Sequence, residues 1–262
     1  MTAMTWDGLV DVGDGDVWAA DSGGDGPPLV LLHPGVGDSR IWDRVLPGLT
    51  PRRRVIRYDV RGYGRSPRPT TGYSMLADLQ AVLARLGVDR AHLVGCSMGG
   101  GTALGFALRE PERVASLALL CPGVLGFPWP AEPELDAEYD RLVAAGDLDG
   151  LTAYGLREWA AAGPDPAVAA QLRSAALAWP TEDRHQQPDP PVFDRLTELA
   201  GLTGAPTAVL VGELDRRPAI DCAEQTAARL GRELVRLPGV DHLPPLRAPG
   251  ATLRLIEQVT GG

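Results

Sequence analysis

One serine of the chain stands in a pattern that would make it a nucleophile. Ser97 is the centre of a Gly-x-Ser-x-Gly sequence, residues 95–99, with a short apolar segment before it and an apolar, helix-permissive segment after it. Such a turn between a strand and a helix holds the serine at the strand tip and requires small residues two positions away on either side. The N-terminal amides of the following helix favour negative charge at the same point. The pattern therefore predicts a nucleophilic serine.

A serine hydroxyl needs a base to take its proton, and the base is usually a histidine. The chain has four histidines. His242 follows the last predicted strand, so it lies at the same edge of the sheet as the serine. His33 ends a strand before a proline and is expected to tie down its loop. His92 begins its strand at the opposite edge, and His185 falls in a predicted loop facing solvent. His242 is therefore the predicted base.

The third member of such a triad is an acid that accepts from the imidazole and fixes its tautomer. Glu213 and Asp215 both follow a predicted strand. Asp241 adjoins the predicted base, but neighbouring side chains on a loop tend to point apart. Asp215 reaches further past its strand than Glu213. The chain order Ser97, Asp215, His242 is also the order expected of a hydrolase with this turn, so Asp215 is the predicted acid.

Two backbone amides must stabilise the oxyanion of the reaction. Met98 follows the nucleophile at the start of the helix and supplies one amide. The other should come from the loop after residue 32, where Pro34 has no amide hydrogen. On position alone, the second donor is either Gly35 or Val36.

Strands and helices alternate over most of the chain, which predicts an α/β fold with a mostly parallel sheet and helices on both faces. Eight short segments fit strands: residues 9–12, 17–20, 29–32, 55–58, 91–94, 116–120, 208–211 and 234–237. Helices are predicted at residues 41–49, 74–86, 102–108, 220–230 and 251–259.

One long stretch, residues 122–206, contains no convincing strand. It has helical patterns at residues 134–145, 148–161 and 167–177, and a proline-rich, charged span at residues 180–191 that indicates a loop. Ligands of open α/β sheets bind outside the carboxyl ends of the strands. We therefore expect residues 122–206 to form a helical cap inserted into a core of residues 1–121 and 207–262. The alternative is a set of surface helices without a role at the site.

Composition excludes several classes of function. The net charge of −9 argues against a nucleic-acid partner. No apolar run approaches ~18 residues, so no membrane-spanning helix is expected, and the start of the chain lacks the pattern of a signal peptide. All 25 basic residues are arginine, which excludes Schiff-base lysines. The three cysteines have no metal-ligand spacing and are typical of reduced thiols in a cytoplasmic protein. We expect no metal or organic cofactor.

With these residues in place, the chain resembles the α/β-hydrolase superfamily along nearly its whole length, most closely the cofactor-free esterases and enol-lactonases. In the family's oxyanion loop, the donor position corresponds to Gly35, so the resemblance implies Gly35 rather than Val36. The matching motifs are His33-x-Gly35 with Trp42 nine residues after His33, Asp59-x-Arg61-Gly62-x-Gly64-x-Ser66, Gly95-Cys96-Ser97-Met98-Gly99-Gly100, Gly212-Glu213-x-Asp215 and His242-Leu243-Pro244. The resemblance implies hydrolysis of a carboxylic ester or lactone through an acyl-enzyme.

Other functions stay open. Dehalogenases and epoxide hydrolases of this fold carry aspartate at the nucleophile position, so Ser97 argues against them. Carbon–carbon bond hydrolases and cofactor-free haloperoxidases keep the serine. A ligand receptor that retains the triad is a non-enzymatic alternative. A dinucleotide-binding oxidoreductase would use the glycines at 35 and 37, but Arg40 stands where the third glycine should be and Pro34 disturbs the turn.

Aromatic residues in the predicted cap suggest how a substrate is held. Trp129, Trp159 and Trp179 fall within residues 122–206, and Val36 adjoins the oxyanion loop. Apolar and aromatic side chains line most small-molecule pockets. We expect these four residues to border a pocket for a mostly apolar, medium-sized ester or lactone, with Trp129 nearest the nucleophile.

Overall fold

The computed structural model describes residues 4–202 and 204–261, whose strands form one eight-stranded sheet. The strands are β1 (Trp6–Asp11), β2 (Asp16–Asp21), β3 (Leu29–Leu32), β4 (Val55–Tyr58), β5 (Ala91–Cys96), β6 (Val114–Leu120), β7 (Thr207–Gly212) and β8 (Leu234–Leu237). Their order is β1-β2-β4-β3-β5-β6-β7-β8. β2 pairs antiparallel with β1 and β4, and all other pairs are parallel.

Helices cover both faces of this sheet. They are α1 (Leu46–Leu49), α2 (Met75–Arg85), α3 (Met98–Arg109), α4 (Pro133–Ala145), α5 (Leu148–Trp159), α6 (Pro166–His185), α7 (Leu196–Leu202), α8 (Arg217–Arg229), α9 (Pro244–Arg247) and α10 (Pro249–Thr260). Three short 3₁₀ segments, Ser39–Trp42, Pro111–Arg113 and Phe193–Arg195, complete the described helical structure.

The strand residues alternate between two apolar clusters, as period-2 side-chain geometry requires. In β3, Val30 and Leu32 pack with α2, α3 and α8, whereas Leu29 and Leu31 pack on the opposite face with α10. All four side chains are buried, which explains the uninterrupted apolar run in the sequence. Helices packed on both faces thereby hold the strands, and with them the edge at which the parallel strands end.

Two predicted local features are wrong. Residues 41–49 do not form one helix: the 3₁₀ turn Ser39–Trp42 is followed separately by α1. Pro47 lies in the first turn of α1 and cannot donate the backbone hydrogen bond that a continuous helix needs. Asp38 instead caps the 3₁₀ turn by accepting from the amide of Arg40.

The second correction concerns residues 180–191, where a loop was predicted. Helix α6 continues through Pro180 to His185. A proline inside a helix costs about 3 kcal/mol, so other contacts must stabilise the last turn. The amide of Tyr73 donates to the carbonyl of His185 at 3.0 Å, and the amide of Gln187 donates to the carbonyl of Tyr73 at 2.8 Å. These bonds hold the end of α6 against the core.

The insertion between β6 and β7 contains α4 to α7. Helices α4, α5 and α6 contribute residues to the cavities described below. By contrast, Phe193, Leu196 and Leu199 belong to the larger apolar cluster of the core. No helix within residues 4–202 and 204–261 is both long and apolar enough to cross a membrane.

Candidate active site

The turn around Ser97 has the strained geometry that its glycines predicted. Ser97 lies between β5 and α3 with φ 50° and ψ −115°, a region that side-chain-bearing residues rarely adopt. A Cβ atom added to Gly95 would lie 2.4 Å from the carbonyl oxygen of Gly99, and one added to Gly99 would lie 2.3 Å from that of Leu32. Only glycine fits at both positions, so the serine is held at the carboxyl edge of the sheet.

His242 and Asp215 form a close pair beside this serine. Nδ1 of His242 lies 2.7 Å from Oδ2 of Asp215, and both side chains are buried. Nε2 of His242 is buried and has no hydrogen-bond partner among the described residues. His242 and Ser97 line the same two cavities. His242 therefore keeps one imidazole nitrogen unpaired while it borders the same cavities as Ser97.

The two other acids considered from the sequence occupy different positions. Glu213 is exposed at the surface. Asp241 is buried, but its carboxylate pairs with Arg247 at 2.9 Å and accepts from the amide of Ala162 at 3.2 Å. Asp241 thus holds the loop after β8, while Asp215 alone of the three contacts the imidazole of His242.

His33 fixes the loop after β3, as expected. Its Nε2 accepts from the amide of Val60 at 2.9 Å, which leaves Nδ1 to donate to the carbonyl of Pro34 at 2.8 Å. A trans peptide points its N–H opposite to its C=O. Holding the carbonyl of Pro34 therefore also fixes the direction of the amide of Gly35. A Cβ on Gly35 would lie 3.9 Å from the Cβ of Met98, so the two predicted oxyanion donors adjoin each other.

The next peptide of this loop is held by two aromatic residues. The carbonyl of Gly35 accepts from Nε1 of Trp179 at 2.7 Å and is 3.2 Å from the hydroxyl of Tyr63. The hydroxyl of Tyr63 also contacts the carboxyl of Glu182. Trp179 and Glu182 both come from α6, so the insertion directly contacts the oxyanion loop.

Three cavities meet at Ser97. The first, of about 340 Å³, also contacts His242, Trp129, Trp159 and Arg216. The second, of about 310 Å³, lies between the oxyanion loop and α4 to α6. The third, of about 260 Å³, extends along α3 toward Gln186 and Asp189. Together they offer room for the two parts of a substrate on either side of the serine.

The structure brings the four predicted pocket residues to these cavities. Trp129 borders the first and third and is 46 % exposed. Trp159 borders the first and second, with its ring 4.5 Å from that of His242. Trp179 and Val36 border the second. Their contribution to substrate selection stays a prediction.

Sequence reasoning missed three charged or polar residues of the cavities. Tyr63 lies in the loop after β4, which the sequence placed at the same sheet edge. Glu182 stood in the supposed loop, yet it is three residues after Trp179 and therefore on the same helix face. Arg216 directly follows Asp215; it pairs with Glu132 and with Glu158, and its guanidinium lies 4.9 Å from the ring centre of Trp159.

Glu182 differs from ordinary surface carboxyls. Burial raises its pKa to about 7; the hydrogen bond from Tyr63 lowers it, and the neighbouring Asp183 carboxylate raises it further. Tyr63 is affected in turn, because burial and the Glu182 carboxylate raise the pKa of its hydroxyl well above the usual range. A carboxyl that changes its charge near neutrality therefore borders the candidate site.

Cys121 lies next to Asp215 and His242. The spacing of cysteines along the chain did not reveal this position. The ligand atoms of Cys121, Asp215 and His242 all lie within 4.8 Å of one another. Burial and the Asp215 carboxylate raise the pKa of the Cys121 thiol well above its ordinary value. A protonated thiol is a weak metal ligand, and Nδ1 of His242 already contacts Asp215. The absence of a metal requirement stays a prediction.

Comparison with known proteins assigns the chain to a family. The chain is 41 % identical over 120 residues to a fluoroacetate dehalogenase from Burkholderia sp., covering 43 % of this chain and 39 % of that protein. It is 40 % identical over 121 residues to the 2-hydroxy-6-oxo-2,4-heptadienoate hydrolase of Pseudomonas putida, covering 44 % and 43 %. The matches span about two fifths of these relatives' lengths.

Structural similarity extends further than sequence similarity. A thermophilic esterase from Thermogutta terrifontis superimposes with a TM-score of 0.77 and 25 % identity, covering 97 % of each chain. This agrees with the predicted fold class, a mostly parallel eight-stranded sheet with helices on both faces. A family model described as the alpha/beta hydrolase fold matches residues 27–178, more than half of the chain. The chain therefore belongs to the α/β-hydrolase fold family.

Proposed function

We propose that this protein is a cofactor-independent serine hydrolase that cleaves a carboxylic ester or lactone through an acyl-enzyme on Ser97. His242 acts first as base and then as acid, and Asp215 orients its imidazole. The amides of Gly35 and Met98 stabilise the oxyanion. The observation that carries the proposal is the 2.7 Å contact of His242 with Asp215, which leaves the other imidazole nitrogen unpaired in a residue that lines the same cavities as Ser97.

In the first half-reaction, Nε2 of His242 takes the proton of the Ser97 hydroxyl as its oxygen attacks the ester carbonyl. The carbonyl π electrons move to oxygen, where the two amides donate to the negative charge. The tetrahedral centre then collapses and the carbon–oxygen bond to the leaving alcohol breaks. The alcohol leaves with the proton held on His242, and the acyl group stays on Ser97.

Deacylation repeats these steps with water as the nucleophile. His242 takes a proton from water, whose oxygen attacks the acyl carbon and forms a second oxyanion at the same amides. Collapse returns the proton to Ser97 and releases the carboxylic acid. Asp215 stays ionised and stabilises the imidazolium in both halves. In a lactone, the leaving alcohol and the acid belong to one product molecule.

Charge at the cavities disfavours an anionic substrate. The names of the two curated relatives specify a fluoroacetate and a dienoate, both anions. Here the first cavity is lined by Glu132 and Asp136, and its Arg216 is already engaged in ion pairs. A substrate carboxylate would meet like charges without a free cation. Ser97 further argues against a dehalogenase.

The test is a set of matched variants assayed with p-nitrophenyl butyrate, caprolactone and a thioester. Ser97→Ala and His242→Gln should each lower kcat by several orders of magnitude, whereas His185→Gln should keep most of the activity. A fluorophosphonate should label the wild type on the peptide that contains Ser97. Labelling of another residue, or activity retained in Ser97→Ala, would refute the assignment. Binding without turnover would instead identify a receptor.

A further inference from the structure

The second cavity at Ser97 is lined largely by aromatic residues. Four aromatic residues from the insertion border it: Tyr139 on α4, Tyr154 and Trp159 on α5, and Trp179 on α6. The ring of Tyr139 lies 6.0 Å from that of Tyr154 and 6.1 Å from that of Trp179, tilted by 52° and 56°. We call this space of about 310 Å³ the aromatic cavity.

Among the described residues, one acid lines the aromatic cavity. Glu182 follows Trp179 by one helical turn and lines the cavity together with Gly35 and Ser97. Its side chain contacts the hydroxyl of Tyr63, and it forms no ion pair within residues 4–202 and 204–261. Carboxylates that are withdrawn from water are usually paired with a cation, and the half-buried Glu182 has no such partner among the described residues.

No arginine of the described chain supplies that partner. Arg216 borders the first cavity, where it pairs with Glu132 and Glu158. Arg157 lies near Tyr154, but it pairs with Glu138 and Glu158. The aromatic cavity therefore offers electron-rich rings and one acid, and no arginine among the described residues lines it.

Rings and an acid together attract one class of ligand. Aromatic faces attract cations through their quadrupoles, most strongly where water is excluded, and they suit quaternary ammonium groups that cannot donate hydrogen bonds. A neutral apolar group would contact the same rings but would leave the carboxylate of Glu182 without a counter-ion. We propose that the aromatic cavity binds an ammonium group, so that the natural substrate is a cationic ester.

This inference rests on the proposed ester hydrolysis and specifies its substrate class. The ammonium group lies in the cavity against the exposed sides of Tyr139, Tyr154 and Trp179, with its charge near the carboxylate of Glu182. The scissile carbonyl lies at Ser97, which borders the same cavity. Substrate binding then neutralises the one unpaired acid of the cavity.

The experiment compares two substrates of the same shape. Butyrylcholine carries a trimethylammonium group, and 3,3-dimethylbutyl butyrate carries a tert-butyl group in its place. Wild-type kcat/KM should favour butyrylcholine by about tenfold, the effect expected of a partly desolvated cation against rings and a carboxylate. Glu182→Gln and Tyr154→Leu should each bring the ratio toward one. Asp140→Asn, an exposed acid on α4, should leave the ratio unchanged.

The outcomes separate this inference from the proposed function. If both butyrates are hydrolysed equally, the inference is wrong and the ester hydrolase stands. If Asp140→Asn lowers the ratio as much as Glu182→Gln, a general negative field causes the preference and the inference is also wrong. If no ester is hydrolysed, calorimetry on the Ser97→Ala protein with choline and with 3,3-dimethyl-1-butanol tests whether the aromatic cavity binds a cation. Choline must bind about tenfold more tightly, and equal binding refutes the cation site.

Discussion

The carboxyl of Glu182 should make the stability of the protein depend on pH. Burial raises its folded-state pKa to about 7, whereas 4.5 is the ordinary value expected when unfolded. Between these two values the folded protein keeps a proton that the unfolded chain releases. The folded state therefore binds more protons, and stability falls as the pH rises through this window. Below pH 4.5 the carboxyl is protonated in both states, so it does not change the free energy of unfolding with pH.

The size of the effect follows from the shift. A difference of about 2.5 pKa units corresponds to about 3.5 kcal/mol, at roughly 1.4 kcal/mol per unit. The wild type should thus lose up to about 3.5 kcal/mol between pH 4.5 and pH 8 through this group. Glu182→Gln stays neutral and cannot release the proton. Relative to the wild type, the variant should gain stability as the pH rises, by the same amount.

Urea unfolding at pH 5, 6, 7 and 8 measures this directly. The wild-type and Glu182→Gln free energies of unfolding are compared at each pH, with Glu233→Gln, an exposed carboxyl, as the control. Groups that act on Glu182 are Tyr63, Asp183 and Tyr139, and they stay in place in both proteins. A difference between wild type and variant that is the same at all four pH values would refute the reasoning.

Three further results are expected. Asp215→Asn should lower kcat by about 10⁴-fold, whereas Glu213→Gln should change kcat by only a few-fold. A larger loss of kcat in Glu213→Gln would assign the role of the triad acid to Glu213. Ser97→Gly should be more stable than Ser97→Ala by roughly 1 kcal/mol or more in urea unfolding, because glycine removes the backbone strain of φ 50°. Equal stability of the two variants would show that the turn stores no strain. Trp179→Phe keeps a ring but removes the 2.7 Å hydrogen bond to the carbonyl of Gly35. The kcat should therefore fall about tenfold with little change in KM. A change in KM alone would show that Trp179 contributes only to substrate binding.

The fold could be predicted because its signals are local. The uninterrupted run of β3 and the glycines around Ser97 report burial and backbone geometry directly. The relation of Asp215 to His242 was also accessible, since both follow parallel strands whose ends share one edge. The order of strands and residues along the chain was sufficient to bring these groups together.

The contents of the cavities could not be predicted in the same way. Pro180 indicated a loop, whereas in the structure α6 stays helical to His185 and Tyr73 bonds to residues beyond that proline. Without that last turn, Glu182 has no defined position relative to Tyr63. Ion pairs such as that of Arg216 with Glu132 join distant parts of the chain, and periodicity contains no information about them.

The persistence of α6 beyond Pro180 links the insertion to the catalytic centre. Trp179, one residue before the proline, donates to the carbonyl of Gly35, and Glu182, two residues after it, contacts Tyr63, which adjoins the same carbonyl. The helix segment that proline weakens is thus the segment that holds the oxyanion loop. If this turn of α6 moves away, the loop loses the indole donor and the aromatic cavity loses its acid at the same time. Substrate binding against Trp179 and Glu182 would stabilise the turn and, through Gly35, the oxyanion site.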